Sequence, residues 1–249
     1  MSTWATKYQC ELRYHWTKSV GVSRARNVGI TIARHDILAF TDDDVLVTET
    51  WFKNLIQGLL YEGPNAIVTG RVLPTITQQP GGFVPSTKTR ESRAVYAGRI
   101  DKDVFYTNNT ALFRDLFDKV GNFDVRLGPG SIFSNAEDND LGFRFLEAGF
   151  RIVYVPDAVL YHCAWRDKRD YLPLRWSYGR GQGAFYAKHL NKNDSYMLKR
   201  LLRQVAKQST EMIRSLVSTP KVSVGHAVYL MGLLTGVAQW LLVQRSVRQ

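Results

Sequence analysis

Apolar positions along the chain recur in two rhythms, and the switches between them outline an alternating order of helices and strands. Residues 23–33 set Ala25, Val28, Ile32 and Ala33 on one face of a helix, with Ser23 as its N-cap. Ile37, Leu38, Ala39 and Phe40 form a short apolar run between polar residues, the signature of a buried strand. Helical spacing returns with Trp51, Phe52, Leu55, Ile56, Leu59 and Leu60, all expected in the core, behind a cap at Thr48 or Thr50. Residues 66–72 and 105–113 predict strands, and residues 114–120 a short helix that Gly121 ends. Leu141, Phe145, Leu146 and Ala148 mark the inner face of a helix that opens at residues 137–140 and closes at Gly149. Residues 151–155 predict a strand stopped by Pro156, and residues 158–162 a further one.

Between these elements the pattern lapses. Residues 8–16 alternate weakly enough to hold one strand, and the proline- and glycine-bearing stretch 74–93 reads as a mobile or ligand-covering loop. Residues 166–186 are basic and aromatic, with a glycine-rich step at residues 179–183 that lacks the Lys-Ser/Thr ending of a phosphate-binding loop. Residues 198–217 form a basic amphipathic helix. Residues 222–243 are mostly apolar, and as a helix would run about 33 Å, enough to cross a bilayer. Gly232 and Gly236 give that helix a small-residue face, while His226 and Gln239 suit a buried or surface-lying helix better.

Composition narrows the classes. Hydrophobic residues at 45% exclude wholesale disorder, and two cysteines, Cys10 and Cys163, make neither a disulfide framework nor a metal cluster. The net charge of +11 points to phosphate-rich partners: nucleic acid, anionic lipid or a nucleotide-linked substrate. Against nucleic acid stand the absence of a recognisable binding motif and the carboxylates interleaved among the basic residues. The first eleven residues are polar and contain no signal-peptide core.

Chemistry concentrates in two acidic clusters. Asp42, Asp43 and Asp44 follow directly on the strand at residues 37–41, where an open α/β sheet binds its ligands. Three adjacent carboxylates repel one another unless a cation sits among them, and oxygen ligands suit Mg²⁺ or Mn²⁺; a solvated acidic turn is the simpler alternative. Glu137, Asp138 and Asp140 open a helix, where the macrodipole alone favours each exposed carboxylate by roughly 0.3–1 kcal/mol.

Taken in order, these segments resemble the family 2 glycosyltransferases, inverting enzymes with a GT-A fold. Ser23-Arg24-Ala25-Arg26-Asn27-Val28-Gly29 is similar to the family's s-x-A-R-N-x-G helix, and Phe40-Thr41-Asp42-Asp43-Asp44 to its DxD strand end. Asn108 through Arg114 with Gly121-Asn122-Phe123-Asp124, then Glu137-Asp138-Asn139-Asp140-Leu141-Gly142-Phe143-Arg144, resemble the family's later motifs, and Tyr154-Val155-Pro156 with His162 its closing strand and histidine. The likeness covers about residues 20–190 and implies an open mixed sheet flanked by helices. It divides the chain into a glycosyltransferase domain at 1–190 and a helical C-terminal appendage at 191–249. Relative to the family the sequence looks N-terminally incomplete by roughly one βαβ unit of about 30 or more residues.

The resemblance also assigns roles. Asp42, Asp44 and His162 would hold Mg²⁺ or Mn²⁺. Arg24, Arg26, Asn27, Asp43 and Arg180 would contact the nucleotide-diphosphate sugar donor together with Asp42, and Gln182 would face phosphates or acceptor. Asp138 would be the general base and Glu137 would shape the acceptor pocket. The expected acceptor is a glycan, polysaccharide or lipid-linked hydroxyl at the cytoplasmic face of a membrane. The rival implication is a catalytically inactive, truncated relative acting as a partner or scaffold.

Overall fold

The computed structural model describes residues 11–18, 20–75 and 82–247. In chain order these form α1 (Val22–Ile32), β1 (Ile37–Thr41), β2 (Val45–Val47), α2 (Trp51–Glu62), β3 (Ala66–Pro74), β4 (Ala94–Tyr96), β5 (Asn109–Phe113), α3 (Leu116–Val120), α4 (Glu137–Glu147), β6 (Arg151–His162), α5 (Tyr171–His189), α6 (Tyr196–Ser218) and α7 (Pro220–Val247). Residues 11–16 of the weakly alternating stretch are irregular, whereas residues 8–10, Cys10 among them, and residues 76–81 of the expected loop lie outside the described residues.

The strands form one mixed sheet in the order β1-β5-β3-β6-β2, with β4 also paired to β6. Only β3 and β6 run parallel among these pairs. Strand side chains alternate between faces, so β3 sends Ile67 to one side and Ala66 and Val68 to the other. Residues Leu112 and Ile152 join Ile67, Phe117, Leu141 and Phe145 beneath α1, α3 and α4. On the opposite face Ala111 and Val153 pack with Trp51, Leu55 and Leu59 of α2. The mixed α/β architecture expected from the sequence is what forms.

Several local expectations give way to tertiary contacts. Helix α1 starts one residue before Ser23, which is not its cap: Ser23 is buried and its Oγ donates to the carbonyl of Leu127 at 2.6 Å. The inward face of α1 carries Ser23 and Ile30, while Ala25 and Ile32 are exposed. Its period is helical as expected, but the phase is rotated because Ser23 and Asn27 find hydrogen-bond partners inside. On α2 the i, i+4 row Trp51, Leu55, Leu59 faces the sheet, leaving Phe52 and Leu60 exposed. Ala148 is likewise exposed, at the C-cap of α4.

Pro156 does not stop its strand. Strand β6 runs through it, and the pairing with β3 skips from Val155↔Gly70 to Val159↔Arg71. A proline is tolerated at such a bulge because no ladder donor is required there. Asn109 closes the gap: its Nδ2 donates to the carbonyls of Arg71 (3.0 Å) and Ala158 (2.8 Å), and its Oδ1 accepts from Trp51 Nε1 (2.9 Å). Gly70 must be glycine, since a Cβ there would overlap the Ala158 carbonyl and the Asn109 amide.

The glycine-rich step at residues 179–183 is helical throughout and lies inside α5. Its glycines bring α5 against α7 at backbone distance: a Cβ on Gly179 would meet the Tyr229 carbonyl, one on Gly183 the Leu233 carbonyl, and one on Gly236 the Arg180 carbonyl. Trp240 of α7 is fully buried with Leu127 and Phe133, so the C-terminal helices pack onto the loop that precedes α4.

Replacing Gly183 with Val should destabilise the protein by about 1–3 kcal/mol through overpacking, read as a lower urea midpoint. Gly29, inside α1 with nothing within 4 Å of its would-be Cβ, provides the contrast. Gly29→Ala should raise the midpoint by about 0.4–1 kcal/mol of stability.

Candidate active site

Two acidic segments, a histidine and Arg26 meet in a cavity of about 840 Å³. Asp42, Asp43 and Asp44 reach it from the turn between β1 and β2, Glu137 and Asp138 from the first turn of α4, and His162 from the end of β6. The cavity is also lined by Tyr178 and Gln182 of α5 and Tyr229 of α7. The two acidic clusters, remote in sequence, therefore share one cavity.

Arg26 joins them. Its guanidinium donates to Asp42 Oδ1 at 3.0 Å, Glu137 Oε1 at 3.3 Å and Asp138 Oδ1 at 3.5 Å, and lies 5.5 Å from the centre of the Phe123 ring. The helix beneath it is pinned. Asn27 exchanges two hydrogen bonds with the Phe123 backbone, at 2.9 and 3.0 Å, so it ties α1 to the loop after α3 and does not face the cavity. Arg24 is exposed and outside the cavity. Arg180 is also turned away: its Nε donates to Gln239 Oε1 at 2.7 Å and its guanidinium lies 5.2 Å from the Phe133 ring centre. Asn27 and Arg180 are thus engaged by other residues of the fold, and Arg24 lies outside the cavity.

Asp138 is held by Thr107, whose Oγ1 donates to Oδ1 at 2.6 Å and whose backbone N–H donates to Oδ2 at 3.1 Å. Burial pushes the Asp138 carboxyl up from its ordinary value, against the lowering influence of Arg26 and of the Thr107 hydrogen bonds. Glu137 is raised too, by burial first and by the neighbouring Asp138 charge, with Arg26 opposing. A carboxylate moved toward neutrality is a better proton acceptor, the property a general base needs. Gln182 is drawn into the same wall: it accepts from Asn139 Nδ2 at 2.7 Å and donates to Asp103 Oδ2 at 3.3 Å. Thr107 and Asp103 carry no recognisable signal in the sequence.

Asp42, Asp44 and His162 are the oxygen and nitrogen donors on hand for a divalent cation. His162 Nδ1 lies 3.0 Å from the Pro85 carbonyl, which can only accept, so the hydrogen sits on Nδ1 and Nε2 keeps its lone pair. That Nε2 lies 3.5 Å from Asp44 Oδ1, near the separation of about 3 Å expected of adjacent ligands on one Mg²⁺. Asp42, however, is committed to Arg26, and no group of three metal-binding side chains forms among the described residues. Two of the three expected ligands fit; the third is occupied by a guanidinium.

Asp140 and Arg144, on the same helix as the candidate base, serve its placement. Asp140 is fully buried and pairs with Arg144 (2.9 Å), Lys188 (2.7 Å) and His189 (2.8 Å). Arg144 in turn donates to the carbonyls of Val120, Gly121 and Asn122, the end of α3 and the residues after it. Burial alone would raise the Asp140 carboxyl, but His189, Arg144 and Lys188 outweigh it and hold it down to about 2.

The model of "Glycosyl transferase family 2" matches residues 4–121. The Pre-mycofactocin glycosyltransferase of Mycobacterium tuberculosis (strain H37Rv) is 26% identical over 183 residues, 72% of this chain and 37% of the relative. The Glucosyl-dolichyl phosphate glucuronosyltransferase of Haloferax volcanii is 27% identical over 165 residues, 62% of this chain and 52% of the relative. This chain thus spans between about a third and a half of the length of these curated relatives. Among solved structures, that of GalNAc-T7 with UDP, GalNAc and Mn²⁺ is similar at 15% identity and a TM-score of 0.46, covering 65% of this chain and 33% of that one.

Because Asp140 titrates lower in the folded chain than in the unfolded one, its ion pairs stabilise above the unfolded value of 3.8, and that stability is lost as pH falls toward about 2. Asp140→Asn should cost about 3–5 kcal/mol at pH 7, as expected for stranding buried cations. The gap to the parent protein, followed by urea denaturation, should narrow steadily below pH 4.

Proposed function

From the match of the glycosyl transferase family 2 model to residues 4–121, we propose that the chain is a member of that family and transfers a sugar from a nucleotide-diphosphate donor to a hydroxyl acceptor with inversion at the anomeric carbon. The observation that carries this reading is the shared cavity of about 840 Å³, in which the donor-side turn, Asp42 to Asp44, and the candidate base, Asp138, come together around Arg26.

In this mechanism the acceptor oxygen attacks the anomeric carbon from the side opposite the diphosphate. The new carbon–oxygen bond forms as the bond to the phosphate oxygen breaks, and the nucleoside diphosphate leaves with the electron pair. Asp138, oriented by Thr107, takes the acceptor's proton, and Glu137 borders the acceptor. Asp43 faces the donor ribose. Asp44 and His162, with Asp42, would hold a Mg²⁺ or Mn²⁺ ion, whose chemistry there would be Lewis-acid neutralisation of the leaving group. Tyr178 and Tyr229 offer flat walls on the acceptor side.

The acceptor is a glycan, a polysaccharide or a lipid-linked hydroxyl, reached at the cytoplasmic surface of a membrane. Supporting a lipid-linked acceptor, the H. volcanii relative is named for glucosyl-dolichyl phosphate. Supporting a surface location, α6 exposes Leu198, Leu202, Ile213, Leu216 and Val217 in one stripe bordered by Lys199, Lys207 and Arg214. Such a helix suits the headgroup region of anionic lipid. Helix α7 has the length and composition to cross a membrane, yet its polar groups are tied inward, His226 to Gln208 at 2.6 Å and Gln239 to Arg180. We therefore read α7 as lying against α5 rather than spanning.

The function is tested by incubating the full-length chain with a panel of nucleotide sugars and Mn²⁺ and measuring nucleoside diphosphate release with and without candidate acceptors. Asp138→Asn should lower the rate roughly 10²–10⁴-fold while leaving the far-ultraviolet circular dichroism unchanged. Since the base must be ionised, the rate should climb with pH through a value above the ordinary carboxylate range. A chain that is folded but releases no diphosphate from any donor is a silent relative. Independently, Ile213→Glu with Leu216→Glu should weaken sedimentation with phosphatidylserine vesicles by roughly tenfold or more.

A further inference from the structure

Arg26 stands where a cation is expected and is itself a cation. Its side chain is only 12% exposed, its guanidinium spans the donor-side Asp42 and both acceptor-side carboxylates, and its helix is fastened by Ser23 and Asn27. With the backbone held, the guanidinium can leave these partners only by swinging its side chain. A divalent ion on Asp42 and Asp44 would stand beside a guanidinium that lies 3.0 Å from Asp42 Oδ1, a repulsive arrangement. We propose that Arg26 is a resident counter-cation that a divalent metal must displace, so that metal and nucleoside diphosphate bind cooperatively and together uncover Asp138.

The reasoning rests on the donor-side role of Asp42, Asp44 and His162 given above. Expelled from Asp42, Arg26 needs another anion, and diphosphate oxygens in the cavity match its planar fork better than water does. Metal alone thus costs the protein an arginine–carboxylate contact, whereas metal with diphosphate replaces it. The same swing removes the guanidinium from Glu137 and Asp138, leaving Asp138 held by Thr107 alone. Donor arrival would in this way prepare the base for the acceptor, which orders the two substrates without any movement of the fold.

The test is Mn²⁺ binding to the full-length chain, followed by electron paramagnetic resonance with and without UDP, GDP or ADP. Arg26→Gln should bind Mn²⁺ alone roughly ten- to a hundred-fold more tightly than the parent, the equivalent of one lost charge-assisted contact. Enhancement of Mn²⁺ binding by the nucleotide should shrink in the same variant. Arg26→Lys, which keeps the charge without the fork, should fall between the two. A residue with a merely structural role would not tighten metal binding when removed. Mn²⁺ binding that Asp44→Ala abolishes, but that folded Arg26→Gln leaves unchanged or weaker, overturns the displacement proposal alone. Mn²⁺ binding indifferent to Asp44→Ala in every background overturns the donor-side assignment and the proposal with it.

Discussion

One guanidinium reconciles carboxylates that could not otherwise share a cavity. Asp42, Glu137 and Asp138 come from segments separated by roughly a hundred residues, and Arg26 touches all three. At an effective dielectric near 20, unit charges 4 Å apart interact with an energy on the order of 4 kcal/mol, so the unscreened cluster would push the turn after β1 away from the start of α4. The arginine lets both acidic clusters approach.

That arrangement needs a rigid frame on each side. On one side α1 is fastened through hydrogen bonds rather than a wide apolar face, with Ser23 and Asn27 reaching the loop that runs from α3 to α4. On the other, Asp140 and Arg144 anchor α4 to α5 and to the end of α3. Buried ion pairs of this kind add little net stability against an apolar alternative, but breaking one partner is costly, so they specify position more than they strengthen the fold.

The cavity is completed by helices that lie beyond the family match at residues 4–121. Glycines on α5 and α7 remove the side chains that would separate them, and the close approach carries Tyr178 and Tyr229 to the cavity wall. The same hairpin of α6 and α7 exposes an apolar stripe outward. A cavity wall and an outward apolar stripe are thus built from the same C-terminal helices.

The elements were largely legible in the chain because they depend on local rhythm. Strand β1 and its Asp42-Asp43-Asp44 turn, helix α4 with its acidic start, and the amphipathic α6 all follow from period and punctuation. Even the pairing of two acidic clusters was legible, through motifs that resemble a family in register. What the pattern could not supply was partner choice. Whether Asn27 meets a ligand or the Phe123 backbone, whether Arg180 meets phosphate or Gln239, and whether Gly179 to Gly183 loops or packs depend on residues distant in sequence. Residue type and spacing set which segments are helical or extended and which side chains can ionise. Only the folded chain decides which of those charges meet, because electrostatic and hydrogen-bond energies depend on separations of a few ångströms that sequence distance does not encode.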